Sequence, residues 1–160
     1  AAARIVDRPD CFISSPLRRA QETSQWITAQ WPEAPLITLP IQEFIYLSTQ
    51  RLNEMTPLAR KAKINAYWLR NDPLYCDGDN AESFASFMQR VLAFYSYLNE
   101  LDGYIIVIGH GQFFKAFQLG LTLGFEINKQ WMYLYRQAET TNPIKNGEII
   151  QLKRNELKGF

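Results

Sequence analysis

The stretch Tyr104-Ile105-Ile106-Val107-Ile108-Gly109-His110-Gly111-Gln112 decides how the chain is read. Its unbroken apolar run, rich in β-branched residues, predicts a strand buried on both faces. The run breaks at Gly109-His110-Gly111, and a helical pattern from about Gln112 to Leu123 follows, closed by Gly124. The only histidine of the chain therefore stands where a buried strand turns into a helix. In open α/β sheets, ligands bind in the crevice beyond the carboxyl ends of the strands. The first turn of a helix placed there offers unpaired backbone N–H groups, which suit an anion. Glycine on both sides of His110 lets a ligand come close to the backbone. A lone histidine ending a strand also has a purely structural reading, and the segments around it decide between the two.

A second junction of the same kind lies upstream. Cys11-Phe12-Ile13-Ser14 reads as a short strand after the turn Asp7-Arg8-Pro9-Asp10. Ser15 then suits a helix N-cap and Pro16 the first helical position, with the helix running to about Trp31 before Pro32 and Pro35. Arg19 falls about one turn inside that helix, where a guanidinium can reach back over the N-terminus and hold two phosphate oxygens. Arg18 reads as a solvated charge.

Leu36 to Leu39 is a further short strand, and Glu43 follows just beyond its end among apolar residues. Apolar surroundings raise a carboxyl pKa, as a proton donor requires, although from position alone a surface loop glutamate is the better reading. Thr56-Pro57 opens a helix to about Arg70, whose Arg60, Lys61 and Lys63 read as a solvated face. Asp79 or Asn80 is expected to cap the longest helix, Glu82 to about Leu101, with an apolar stripe from Phe84 to Leu101 that reads as core. Trp131 to Tyr135 is expected as a strand. Asn146-Gly147 is a hairpin-type turn signal, Glu148 to Leu152 a final strand and Lys153 to Phe160 a polar tail. Alternating strands and helices of this kind predict an α/β fold, a three-layer α/β/α sandwich with a mostly parallel central sheet.

Composition narrows the function. At 160 residues, 47% hydrophobic and 21% charged, the chain fits one globular domain. A formal charge of +1 and the lack of a basic stripe argue against a nucleic-acid partner. No apolar run reaches the roughly 20 residues that span a bilayer, so no membrane partner is expected. Cys11 and Cys76 form no closely spaced pair, Cys11 reads as a small core residue, and a reducing, cytoplasmic setting is the simplest expectation. One histidine and two scattered cysteines make a zinc site improbable.

The junctions carry a resemblance. Ser14-Ser15-Pro16-Leu17-Arg18-Arg19-Ala20-Gln21-Glu22-Thr23 resembles the second signature of the histidine phosphatase superfamily, the phosphoglycerate mutase-like proteins. Val107-Ile108-Gly109-His110-Gly111 resembles the signature holding that family's second histidine. Gly78-Asp79-Asn80-Ala81-Glu82-Ser83-Phe84, with Arg90 downstream, is similar to its Gly-Glu-Ser segment, and Glu43 occupies the place of its proton-donor acid. These matches follow the family's order over nearly the whole chain. The resemblance implies a phosphoglycerate mutase-like fold and hydrolysis of a small-molecule phosphomonoester through a phosphohistidine, without metal or cofactor. In that mechanism a first histidine attacks phosphorus, two arginines and the second histidine hold the phosphoryl oxygens, and an acid protonates the leaving alcohol. Carried over, Arg19 matches the second arginine, His110 the second histidine and Glu43 the acid. Ser15 and the backbone N–H near Gly111 or Gln112 would complete the phosphate pocket.

The chain departs from the family in one respect. The Arg-His-Gly-Glu/Gln-Thr motif that ends the family's first strand is absent, and the single histidine is already assigned. The expectation is one histidine phosphatase-like domain over residues 1–160, lacking its first strand and most of its first helix, with Ala1 to Val6 as the end of that helix. Such a chain lacks the nucleophile, and loss of a central strand is expected to leave a gap and open strand edges. The favoured explanation is a missing natural N-terminus carrying Arg-His-Gly. The alternatives are an inactive phosphate-binding or regulatory module and a phosphoglycerate mutase. The mutase is disfavoured by the short segment between Glu43 and His110. Specificity is expected between Phe44 and Glu82, where Tyr46, Tyr67, Trp68 and Tyr75 form either a substrate wall or core. The sequence specifies no oligomeric state.

Overall fold

The computed structural model describes residues 7–153. The helix end read at Ala1 to Val6, and the tail beyond Lys153, lie outside them. Strand β1 (Cys11–Ser14) is buried along its whole length and pairs in parallel with β2 (Leu36–Thr38) and β3 (Ile105–Ile108), giving the order β2-β1-β3. Cys11 registers with Ile105 and Ser14 with Ile108, so β1 and β3 are direct neighbours with no gap between them. The gap expected from the departure at the N-terminal motif is therefore not found between these strands. Pairing persists past the strands: Ser15 N–H donates to Ile108 O at 3.0 Å, and Leu39 N–H donates to Ser14 O at 3.0 Å. All three carboxyl ends thus finish side by side.

Side-chain alternation sorts the strands onto two cores. Phe12, Ile106 and Ile108 face helix α1 (Arg18–Thr28) through Ala20 and Ile27. Ile13, Ile105 and Val107 face a larger cluster built from α3 (Pro57–Arg70), α4 (Phe84–Glu100), α5 (Gly111–Leu123) and α6 (Lys129–Thr141). Helices on both faces of a parallel sheet make the expected three-layer sandwich. Phe12 and Ile13 are fully buried, each stabilising the fold by about 1.5–3 kcal/mol. A short helix, α2 (Thr49–Asn53), was not expected from the pattern.

Several boundaries differ from the sequence reading. Helix α1 begins at Arg18 with Leu17 as its cap, because the Ser15 hydroxyl accepts from Leu17 N–H at 3.3 Å and meets His110 instead of capping the helix. It also ends at Thr28, short of Trp31. Helix α4 begins after Ser83, whose Oγ accepts from Ser86 N–H at 3.1 Å. Asn80 has φ 61°, a left-handed conformation unlike the extended backbone of an N-cap. Trp131 to Tyr135 is helix, not strand. Asn128 caps α6 by accepting from Trp131 N–H at 2.7 Å, and Trp131, Met132 and Tyr135 form its buried face. The turn at Asn146-Gly147 exists, with φ 73° at Gly147, but residues 148–152 form no strand because no described strand runs beside them. Gly124, at φ 84°, ends α5 as expected.

Candidate active site

The register of β1 with β3 brings the two polar junctions into contact. His110 caps α5 at the end of β3, with 5% of its surface exposed. Its Nε2 lies 2.8 Å from Ser15 Oγ, and its Nδ1 accepts from Arg19 Nε at 3.2 Å across 91 residues of sequence. Arg19 Nη2 also donates to Glu43 Oε2 at 2.7 Å, and that oxygen lies 3.5 Å from His110 Nδ1. The other Glu43 oxygen accepts from Gln112 N–H at 3.3 Å, in the first turn of α5. Arg19, Glu43, His110, Ser15 and the Gln112 backbone, all singled out in the sequence, therefore converge.

The protonation of the ring follows from its partners. Arg19 Nε is a donor only, so Nδ1 carries the lone pair and Nε2–H donates to Ser15 Oγ. Burial holds the imidazole below its ordinary range; Glu43 pulls the other way, and Arg19 adds to the lowering. Ser15 is fully buried and stands behind the ring. Its hydroxyl meets His110 Nε2 and orients the ring. Its hydroxyl can accept from Nε2–H or donate to a bare Nε2, so the ring can change tautomer without losing this partner.

Two other expectations change in detail. Glu43 lies among donors, not apolar side chains, because its carboxylate turns away from Phe44, which packs into the core. The close approach at Gly111 is made by the chain itself: an added Cβ would stand 2.9 Å from Ile144 O. Gly111 therefore admits the 142–148 segment beside the helix start, and the N–H engaged by a carboxylate is that of Gln112. Arg18 is solvated as read, pairing with Glu22 at 2.7 Å on an exposed face.

The aromatic residues of the 44–82 segment join the main core. Tyr67 is 3% exposed and packs 4.8 Å from Tyr46, 5.2 Å from Trp68 and 6.3 Å from Phe44, ring centre to ring centre. Burial holds its hydroxyl well above the ordinary range. Tyr46, Trp68 and Tyr75 remain half-buried around it. The sequence reading gave no role to Arg90 and Glu82, which hydrogen-bond the backbone on either side of Glu43. The only available signal was their place in one recognisable segment.

Among the described residues, no three His, Cys, Asp or Glu side chains gather as metal ligands, and no helix is long and apolar enough to cross a membrane. Residues 1–148 match the family described as "Histidine phosphatase superfamily (branch 1)". Among solved structures, the alpha-ribazole phosphatase from Shigella flexneri has a similar fold, with a TM-score of 0.55 and 22% identity. The similarity covers 79% of this chain and 62% of that one, so the present chain spans under two thirds of that protein's length. No match was found among curated proteins.

Proposed function

The chain belongs to the histidine phosphatase superfamily, and from that premise we propose that its site holds the phosphoryl group of a small phosphomonoester for hydrolysis. The contact of Arg19 with His110 and Glu43, from three separate segments, is the observation that carries this reading. A phosphoryl group entering here takes the donors the Glu43 carboxylate now occupies, Arg19 Nη2 and Gln112 N–H. His110 supplies a third donor once Nδ1 is protonated, with Ser15 holding the other nitrogen. Glu43, displaced by a few ångströms, faces the leaving oxygen as its proton donor. Such positioned donors are what phosphoryl transfer requires, since charge on the transferring oxygens must be met by fixed groups.

Hydrolysis also needs an attacking group. In the proposed step a histidine nitrogen bonds to phosphorus while the alcohol oxygen departs with the Glu43 proton. Water then attacks phosphorus and gives a proton back to Glu43, releasing phosphate and restoring the histidine. His110 is engaged at both ring nitrogens in a holding role, and it is the only histidine here. The attacking histidine is therefore proposed to come from outside these 160 residues, and this chain by itself is proposed to bind phosphate esters without turnover. That same observation favours the second reading, a module that binds phosphate and does no chemistry. Because the Shigella flexneri protein of similar fold is an alpha-ribazole phosphatase, the phosphate ester of alpha-ribazole is a reasonable first ester to try.

The sole histidine provides the test. Its ring resonances, followed by NMR during titration with inorganic phosphate, are expected to move and to saturate, and Arg19→Ala is expected to abolish the response. Unmoved His110 signals would refute the phosphate site. Phosphate release by the purified 160-residue chain would refute the external nucleophile. Assays for phosphate release and for 2- to 3-phosphoglycerate interconversion separate phosphatase from mutase.

A further inference from the structure

Glu43 sits on a segment without helix or strand, between β2 and α2. Nothing in the regular backbone ladders fixes such a residue, yet its carboxylate must stand within hydrogen-bond reach of Arg19 and Gln112. The fixing comes from two side chains elsewhere. Arg90, on α4, donates from Nη1 to Pro40 O at 2.6 Å and to Gln42 O at 3.3 Å. Its Nε and Nη2 pair with both oxygens of Glu82, at 3.0 and 2.6 Å. Glu82 Oε1 accepts from Ile45 N–H at 3.3 Å, and Glu82 N–H donates to Ile45 O at 2.8 Å. The pair therefore grips the backbone on both sides of Glu43.

The grip is enclosed. The side chains of Arg90 and Glu82 are 16% and 20% exposed, and the guanidinium lies 5.4 Å from the Phe87 ring and 5.6 Å from the Phe113 ring. A fork held in both planes by a carboxylate and two rings has little freedom left. We infer that the Arg90–Glu82 pair is the positioning device for Glu43, setting where its carboxylate stands over Arg19 and His110. A pair serving only to tie the start of α4 to its middle would need the two guanidinium–carboxylate bonds alone. The bonds to Pro40, Gln42 and Ile45 point outward from α4 to the loop, and Asp77 adds a separate hold further along by accepting from Ser48 N–H at 3.2 Å.

The catalytic meaning of this role rests on the phosphoryl-site reading, but the geometry is testable without it. Glu43 and Arg19 are the charged groups facing His110, so the titration midpoint of the single histidine reports the carboxylate's position. Glu43→Gln should lower that midpoint, because a neighbouring carboxylate favours the imidazolium. Arg90→Gln should shift it in the same direction, and the double variant should shift no further than Glu43→Gln alone. Arg90→Lys, which keeps a cation but loses the fork, should fall between. Glu82→Gln preserves volume and offers a second route should Arg90→Gln fail to fold, as judged by circular dichroism. A folded Arg90→Gln or Glu82→Gln protein with the unaltered midpoint would overturn the inference, as would fully additive shifts in the double variant. If the expected shifts occur while the chain takes up no phosphate, the positioning role stands and the phosphoryl-site reading alone falls.

Discussion

Replacing Glu43 by Gln should tighten phosphate binding, although Glu43 is assigned a productive role in the chemistry. The carboxylate holds both donors that a phosphoryl oxygen needs, Arg19 Nη2 at 2.7 Å and Gln112 N–H at 3.3 Å. An incoming anion must break that exposed ion pair, worth about 0–1 kcal/mol, because the partners are 61% and 32% exposed. It must also stay near a displaced charge of its own sign, at about 1 kcal/mol for a separation of ~4 Å in water and more in a less polar crevice. Glutamine has the same shape and no charge, so most of this penalty vanishes. The sum is about 1.5 kcal/mol, or roughly tenfold in dissociation constant. Calorimetric titration with inorganic phosphate, on wild type and Glu43→Gln, measures it directly. The difference should shrink as salt is raised, since both contributions are partly exposed to solvent. Equal or weaker binding by Glu43→Gln would refute the idea that this carboxylate occupies the phosphate's place.

Other expectations concern the support of the site. Ser15→Ala removes the buried partner of His110 Nε2 and should cost about 1–3 kcal/mol, read from urea unfolding midpoints, with phosphate affinity falling as the ring loosens. Burial holds the His110 pKa below 6.5 in the folded chain, while the unfolded chain takes up a proton at that ordinary value. The unfolded state then binds more protons, so stability should fall as pH drops through that value. Unfolding midpoints measured across this range should show the loss in wild type and lack it in His110→Gln. Gly111→Ala forces a Cβ to within 2.9 Å of Ile144 O and should cost about 1–3 kcal/mol in thermal or urea unfolding, with amide shifts concentrated in residues 142–148.

The sequence alone determined the pieces whose cause is local. The apolar stretches at Cys11 to Ser14 and Tyr104 to Ile108 became parallel strands, the first buried throughout and the second, expected to be buried on both faces, half-buried up to Ile108, and glycine closes α5 where a positive φ is required. The residue types at the two junctions also raised the expectation of an anion site, because a guanidinium and a helix start offer donors and a protonated imidazole adds two more. What contacts what was decided by the tertiary structure. Ser15 reads as a helix cap until β1 and β3 align and place His110 against its hydroxyl. Trp131 to Tyr135 reads as a strand until Asn128 caps the turn and the main core claims one helical face. Glu43 reads as a carboxylate among apolar neighbours until Arg90 and Glu82 turn its loop toward Arg19. Spacing along a chain encodes periodicity and local turns; it does not encode which distant donor reaches a given acceptor, since that distance is fixed only when separate elements pack.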